Sequence, residues 1–210
     1  MIRSLAAYFV KGMLIEDTLA CVRECISQIQ EKFNAYPALY FNESDLQCEL
    51  FALLLDRFGD NCEISNVFVW GTDKITRTRQ CISRRVHSEL LLPGGRIDLA
   101  ILDLGHVRFA MNSRGRFGHI QLEPGDHVFI EIKASRTNRS SITSKNSWIQ
   151  SIEQDIDNLN AHSYRSFMLC FDFGGILDDF TIARLIARKH ENVEFLYFTN
   201  EIRDNYLAPD

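Results

Sequence analysis

Glu131 and Lys133 stand two residues apart in the run "HVFIEIKAS", residues 127–135. Side chains two apart on a strand point the same way, so Phe129, Glu131 and Lys133 share one face and Val128, Ile130 and Ile132 the other. A phenylalanine beside two charges argues that this face is not plain solvent. Burying a carboxylate and an ammonium costs desolvation unless something offsets it. A lone Glu-x-Lys is ordinarily an edge-strand ion pair, and other acidic residues must change that assessment. Asp98, in "GGRIDLAILD", is flanked by Ile97 and Leu99 and shares a face with Ala100 and Leu102 by alternation. A bond to the backbone of the Gly94–Gly95 turn is its plain alternative role.

A third carboxylate comes from "NESDLQCELFALLLDRFG". With Glu43 at zero and about 100° per residue, Leu46, Leu50, Leu53 and Leu54 fall near 300°, 340°, 280° and 20°. Glu43 is thus at the middle of the apolar arc, and Glu49, near 240°, is on the polar side with Asp45 and Asp56. Helical phase therefore selects Glu43 as the inward residue. A favourable charge at a helix N-terminus would also place a glutamate there. Two inward carboxylates with a glutamate–lysine pair suit a hard divalent cation, since Mg²⁺ is held by a few carboxylates while keeping several waters. A protonated lysine cannot be a ligand. It can orient or activate water, or neutralise charge building up on a phosphoryl group.

The elements that must position these groups follow from periodicity. Residues 14–33 read as an amphipathic helix with Leu19, Val22, Ile26, Ile29 and Phe33 on one stripe, and a second helix starts near Asn42. "VFVWG", residues 67–71, is a short strand. Two strands follow around Pro93-Gly94-Gly95, with Gly94–Gly95 as the turn, which sets Leu91 opposite Asp98 and brings Glu89 and His87 to the same side. After another strand and a glycine-rich loop comes the Glu-x-Lys strand. Residues 147–161 are helical, "SFMLCFDF" is a strand buried on both faces, "DDFTIARLIARKH" is a helix, and "VEFLYFT" is the last strand. The expectation is one α/β domain over 1–210: a single mixed sheet flanked by helices, a core of about 42–199 and an N-terminal helical extension of about 1–40.

Bulk properties agree with one domain. The chain has 210 residues, is 46% hydrophobic and 24% charged, and has no apolar run of membrane-spanning length. The N-terminal apolar patch is interrupted by Lys11 and lacks a small-residue cleavage site, so it reads as mature protein. Six cysteines, at 21, 25, 48, 62, 81 and 170, form no C-x-x-C, which favours reduced thiols and a cytoplasmic setting. A net charge of −5 argues against indiscriminate coating of nucleic acid but permits a local basic groove.

At Glu43, Asp98 and Glu131-x-Lys133 the sequence resembles the PD-(D/E)XK nuclease superfamily, over roughly residues 42–173. Ile97-Asp98 stands where the family has Pro-Asp, and Gln47 follows Glu43 by one turn as in several branches. The resemblance implies a restriction-endonuclease-like αβββαβ core. It implies Mg²⁺ or Mn²⁺ held by Asp98, Glu131 and the Ile132 carbonyl with Glu43 as third carboxylate, and Lys133 assisting the attacking water. It further implies hydrolysis of nucleic acid, DNA before RNA, with a homodimer or partner protein compatible. Arg136, Arg139 and Lys145 after the Glu-x-Lys strand, and Arg84 and Arg85 in a basic segment with Lys74, Arg77 and Arg79, are candidates for a phosphate-contacting rim. Asp155 reads as a cap or surface residue. Competing readings are a non-catalytic nucleic-acid-binding or scaffold domain of this fold, an RNA-directed endonuclease, and an RNase-H-like nuclease using carboxylates alone, from which Lys133 discriminates.

Overall fold

A computed structural model describes residues 15–40, 42–59, 62–71, 74–92, 95–111, 117–135 and 142–200. Helix α1 (Ile15–Ala35) and helix α2 (Glu43–Phe58) precede strands β1 (Cys62–Gly71), β2 (Lys74–Ser83), β3 (Val86–Leu92) and β4 (Gly95–Ile101). Strands β5 (Val107–Met111), β6 (Phe117–Leu122) and β7 (Val128–Ala134) lead to helix α3 (Ile142–Asn160). Strand β8 (Arg165–Asp172), helix α4 (Asp179–Arg188) and strand β9 (Val193–Thr199) complete the order. Among the described residues no helix is long and apolar enough to cross a membrane.

The expected single sheet is two. A five-stranded mixed sheet runs β3-β4-β7-β8-β9, and a four-stranded sheet runs β2-β1-β5-β6. In the larger one, β3, β4 and β7 are antiparallel neighbours, and β7, β8 and β9 are parallel. The segment between β4 and β7 leaves this sheet to pair with β1, and much of the expected glycine-rich loop is strand β6. Alternation within each strand was legible in sequence, but partner choice is non-local and was not.

The five-stranded sheet is covered on both faces. Val22, Ile26, Ile29 and Phe33 of α1 and Leu46, Leu50 and Leu54 of α2 pack with Leu99, Ile101, Ile130, Ile132 and Leu169. Ile149, Ile152, Ile156 and Leu159 of α3 and Leu185 of α4 pack with Ala100, Phe129, Met168 and Cys170. The two faces of β7 therefore enter different cores, and Glu131 and Lys133 follow Phe129 toward α3. Asp172, fully buried at the end of β8, accepts from Ser135 Oγ at 2.8 Å, from Tyr197 Oη at 2.7 Å and from the N–H groups of Gly174, Ile176 and Leu177. These five bonds tie the loop after β8 and Tyr197 of β9 to Ser135, directly after the Glu-x-Lys strand. Such saturation makes Asp172 structural.

Candidate active site

The β4–β7 ladder stops at Leu99–Ile130, although β7 continues to pair with β8 as far as Ala134–Phe171. Continuing the register would set Asp98 opposite Glu131. From there on the β4 side of β7 is an open edge whose backbone groups need partners. Side chains supply them: Ile132 N–H donates to Asp98 Oδ2 at 2.9 Å, and Ala134 N–H to Glu43 Oε2 at 3.3 Å. On the other strand, Gln47 Nε2 donates to the Asp98 carbonyl at 3.1 Å and to Glu89 Oε1 at 2.7 Å. The carboxylates are thus located by the gap between two parting strands, and the Ile132 carbonyl belongs to the same open edge.

Glu43 is delivered by helix capping. Asn42 accepts from the Asp45 N–H at 3.1 Å while Asp45 accepts from the Asn42 N–H at 3.2 Å, a reciprocal box that fixes Glu43 as the first helical residue. From there Glu43 Oε1 reaches Lys133 Nζ at 3.4 Å. Glu49 turns away, bonding Tyr40 Oη at 2.6 Å and pairing with Lys32 of α1.

Glu131 is 3% exposed, and its Oε1 is buried with no hydrogen-bond partner. Burial foremost, then the Asp98 carboxylate beside it and Asp155, push the Glu131 carboxyl up to about 10, with Lys133 offsetting only part. An unpaired oxygen on a carboxylate that resists ionisation is a costly arrangement for a bare protein, and a cation would reverse its sign. Burial likewise raises the carboxyl groups of Glu43 and Asp155 above their ordinary values, with Lys133 pulling both back. Burial opposes the ammonium of Lys133, but Asp155 and then Glu43 outweigh it and hold its pKa above the usual lysine range. Lys133 is therefore a cation in this setting. Its contact with Asp155 Oδ2, at 2.8 Å, is an ion pair that is not well aligned as a hydrogen bond.

An open cleft of about 660 Å³ exposes this end of the sheet, lined by Asn42, Glu43, Ser44, Lys133, Trp148 and Ser151 among others. Among the described residues no three Asp, Glu, His or Cys side chains are drawn together as a metal cage. A hard cation held by two carboxylates, a carbonyl and water requires none. The Glu131 carboxyl beside Asp98, with one oxygen orphaned, makes the donor set a fit for such an ion.

Several expected residues are placed elsewhere. Strands β3 and β4 close on Leu92–Gly95, so Leu91 faces Arg96 rather than Asp98, and Gly95 lies in the strand rather than in the turn. That register brings Glu89 opposite Asp98, where the pairing is interrupted between Ser88–Leu99 and Leu90–Ile97. Glu89 has φ of +55°, a left-handed conformation unusual for glutamate, and the backbone irregularity lies directly across from the candidate aspartate. His87 bonds the Arg84 carbonyl at 2.8 Å and Ser83 Oγ at 3.2 Å, a turn-bracing role.

Among the candidates for a basic rim, the described residues have local surroundings of their own. Lys145 pairs with Asp178 at 3.2 Å. The Arg85 guanidinium sits 5.4 Å over the ring of Phe58, the last residue of α2, roughly 22 Å along the helix from Glu43. Its neighbour Arg84 is exposed on the same turn before β3. Arg136 and Arg139 lie outside the described residues, as do the side chains of Lys74, Arg77 and Arg79.

Asp155, which the sequence reads as a cap or surface residue, is instead paired with Lys133. It precedes Ile156 on the apolar stripe of α3, and its side chain is only 16% exposed. That adjacency was the available signal, but its partner is remote in sequence. Comparison of the chain with protein-family models, with curated proteins and with solved structures returns no match.

Proposed function

We propose that this protein is a metal-dependent nuclease hydrolysing phosphodiester bonds in DNA. The observation that carries the reading is the buried Glu131, with an unpartnered oxygen beside Asp98, two residues from a lysine flanked by carboxylates where two strands part. The order α2-β3-β4-β7-α3-β8, with its antiparallel β3-β4-β7 and parallel β7-β8, supports a restriction-endonuclease-like core interrupted by two segments, β1–β2 after α2 and β5–β6 after β4.

Asp98, Glu131 and the Ile132 carbonyl would hold Mg²⁺ or Mn²⁺, with Glu43 at the cleft margin. When bound, the metal supplies Lewis-acid polarisation of the phosphate and a water of lowered pKa. The chain itself supplies position and charge. Asp98 is oriented by the Ile132 N–H, and Gln47 braces the Asp98 backbone. Lys133, kept protonated by its neighbours, donates to a phosphoryl oxygen and to the attacking water rather than removing a proton from it. That persistent charge separates this reading from a carboxylate-only nuclease.

The direct test is nicking of supercoiled plasmid. Purified protein should convert it to the relaxed form with Mn²⁺ or Mg²⁺ and leave it intact with EDTA. Intact plasmid with either metal, while an RNA substrate is cut, would move the substrate to RNA; intact plasmid and RNA together would leave a binding domain.

Glu43 and Glu49 provide an internal comparison on one helix. Glu43→Gln should lower cleavage at least tenfold, because it removes the charge beside Lys133 and weakens the acceptor for Ala134 N–H. Glu49→Gln should leave turnover within about twofold and act only on the exposed Lys32 pair and the part-buried Tyr40 bond, both away from Lys133. Equal losses from both variants would remove Glu43 from the site.

A further inference from the structure

Helix α3 covers one face of the sheet, yet it also contributes the carboxylate nearest to Lys133. Asp155 Oδ2 lies 2.8 Å from Nζ, against 3.4 Å for Glu43 Oε1, and its side chain is the more buried of the two. Ile152, Ile156 and Leu159, all fully buried, clamp α3 to the sheet, so Asp155 is held on a rigid element. Trp148 and Ser151 of the same helix line the cleft onto which Lys133 opens. A part-buried aspartate on a core-facing helix is costly, and an apolar side chain would serve packing better. Packing therefore does not account for Asp155.

Resting on the reading of the site as a phosphodiesterase, we infer that Asp155 is a positioning residue that anchors the Lys133 ammonium on the α3 side of the cleft and fixes where that charge meets the substrate phosphate. Glu43 holds the same ammonium from α2, which packs on the opposite face of the sheet. Glu43 takes one of the three ammonium N–H donors and Asp155 holds the charge by ion pairing, which leaves donors for a phosphoryl oxygen and a water. Without Asp155 the flexible lysine stem has one anchor and samples other rotamers, which lowers the fraction of molecules with Nζ in the productive place.

The experiment uses the full chain with Asp155→Asn and Asp155→Glu, each checked for a wild-type circular-dichroism spectrum. Three readouts are taken: plasmid cleavage, the Mn²⁺-induced rise in Tm, and the NMR signals of the Lys133 ammonium. Asp155→Asn should lower kcat about 10–100-fold with KM changed less than about threefold, and Asp155→Glu should recover part of the loss. Both variants should keep the Mn²⁺-induced rise in Tm. The Lys133 signals should move in Asp155→Asn whether or not metal is present. Wild-type kcat in Asp155→Asn overturns the inference, as does loss of the Mn²⁺ shift, which would make Asp155 a ligand. If the wild-type protein cuts no nucleic acid, the nuclease reading fails by itself. The anchor then stands on a moved Lys133 signal and falls on an unmoved one.

Discussion

Lys133→Ala should abolish most cleavage while leaving metal binding in place. Removing one preorganised donor to a developing oxyanion costs roughly 3–4 kcal/mol, or about 10²–10³ in rate. Lys133 is held at the cleft by Asp155 at 2.8 Å and Glu43 at 3.4 Å, and its neighbours keep it charged. It can therefore act at full charge on the phosphoryl group. A ligand that binds only the folded state raises Tm by mass action, so Mn²⁺ should stabilise both wild type and Lys133→Ala. The rise should be larger in the variant, because a neighbouring positive charge has gone. Asp98→Ala should lose both the shift and the cleavage, since it removes a proposed ligand and also leaves the Ile132 N–H without its acceptor. Wild-type cutting by Lys133→Ala would remove the lysine from the chemistry. A lost Mn²⁺ shift in that variant would instead mean that the substitution had disrupted the metal site.

The second large effect is on stability. Glu131 is pushed up to about 10 in the folded protein from an ordinary value of 4.5, chiefly by burial. The folded state therefore keeps a proton that the unfolded state releases. The contribution of this group is fully present below about pH 4.5 and is progressively lost as pH rises toward 10. At about 1.4 kcal/mol per pH unit, the upper bound on the loss at pH 8 is roughly 5 kcal/mol. Water entry and relaxation reduce this to a few kcal/mol. Glu131→Gln has nearly the same shape and cannot ionise. Without metal it should melt several degrees above wild type at pH 8, about 2–4 °C for each kcal/mol recovered. The gap should close on acidification toward pH 5, and Mn²⁺ should narrow it by stabilising only wild type. Equal Tm values for the two proteins from pH 5 to pH 9 without metal would show that Glu131 is not under this stress.

Local sequence was informative wherever the cause is local. The three- and four-residue spacing in α1, α2 and α3 identified the faces that bury Val22, Leu50 and Ile152, because helix geometry alone decides which side chains share a face. The alternation in β7 separated Ile130 and Ile132 from Glu131 and Lys133 before any partner was known. Helical phase separates Glu43 from Glu49, and the two meet different partners, but Glu43 is not the more buried of them: its side chain is 38% exposed against 27% for Glu49. Glu43, Asp98, Glu131 and Lys133 were nameable because their types are expensive where the pattern puts them.

Tertiary structure decided everything that depends on which elements become neighbours. The split into two sheets follows from β5 pairing with β1, a contact between segments about forty residues apart that no periodicity encodes. The hairpin register differed by the position of its turn, and that slip replaced Leu91 with Glu89 opposite Asp98. Lys145 and Arg85 read in sequence as candidates for a phosphate-contacting rim because charge is local, whereas their partners Asp178 and Phe58 are distant in sequence. Asp155 reads in sequence as a cap or surface residue for the same reason: only the packing of α3 on the sheet brings it to Lys133, and a carboxylate beside an apolar stripe gains its meaning from the cation it meets.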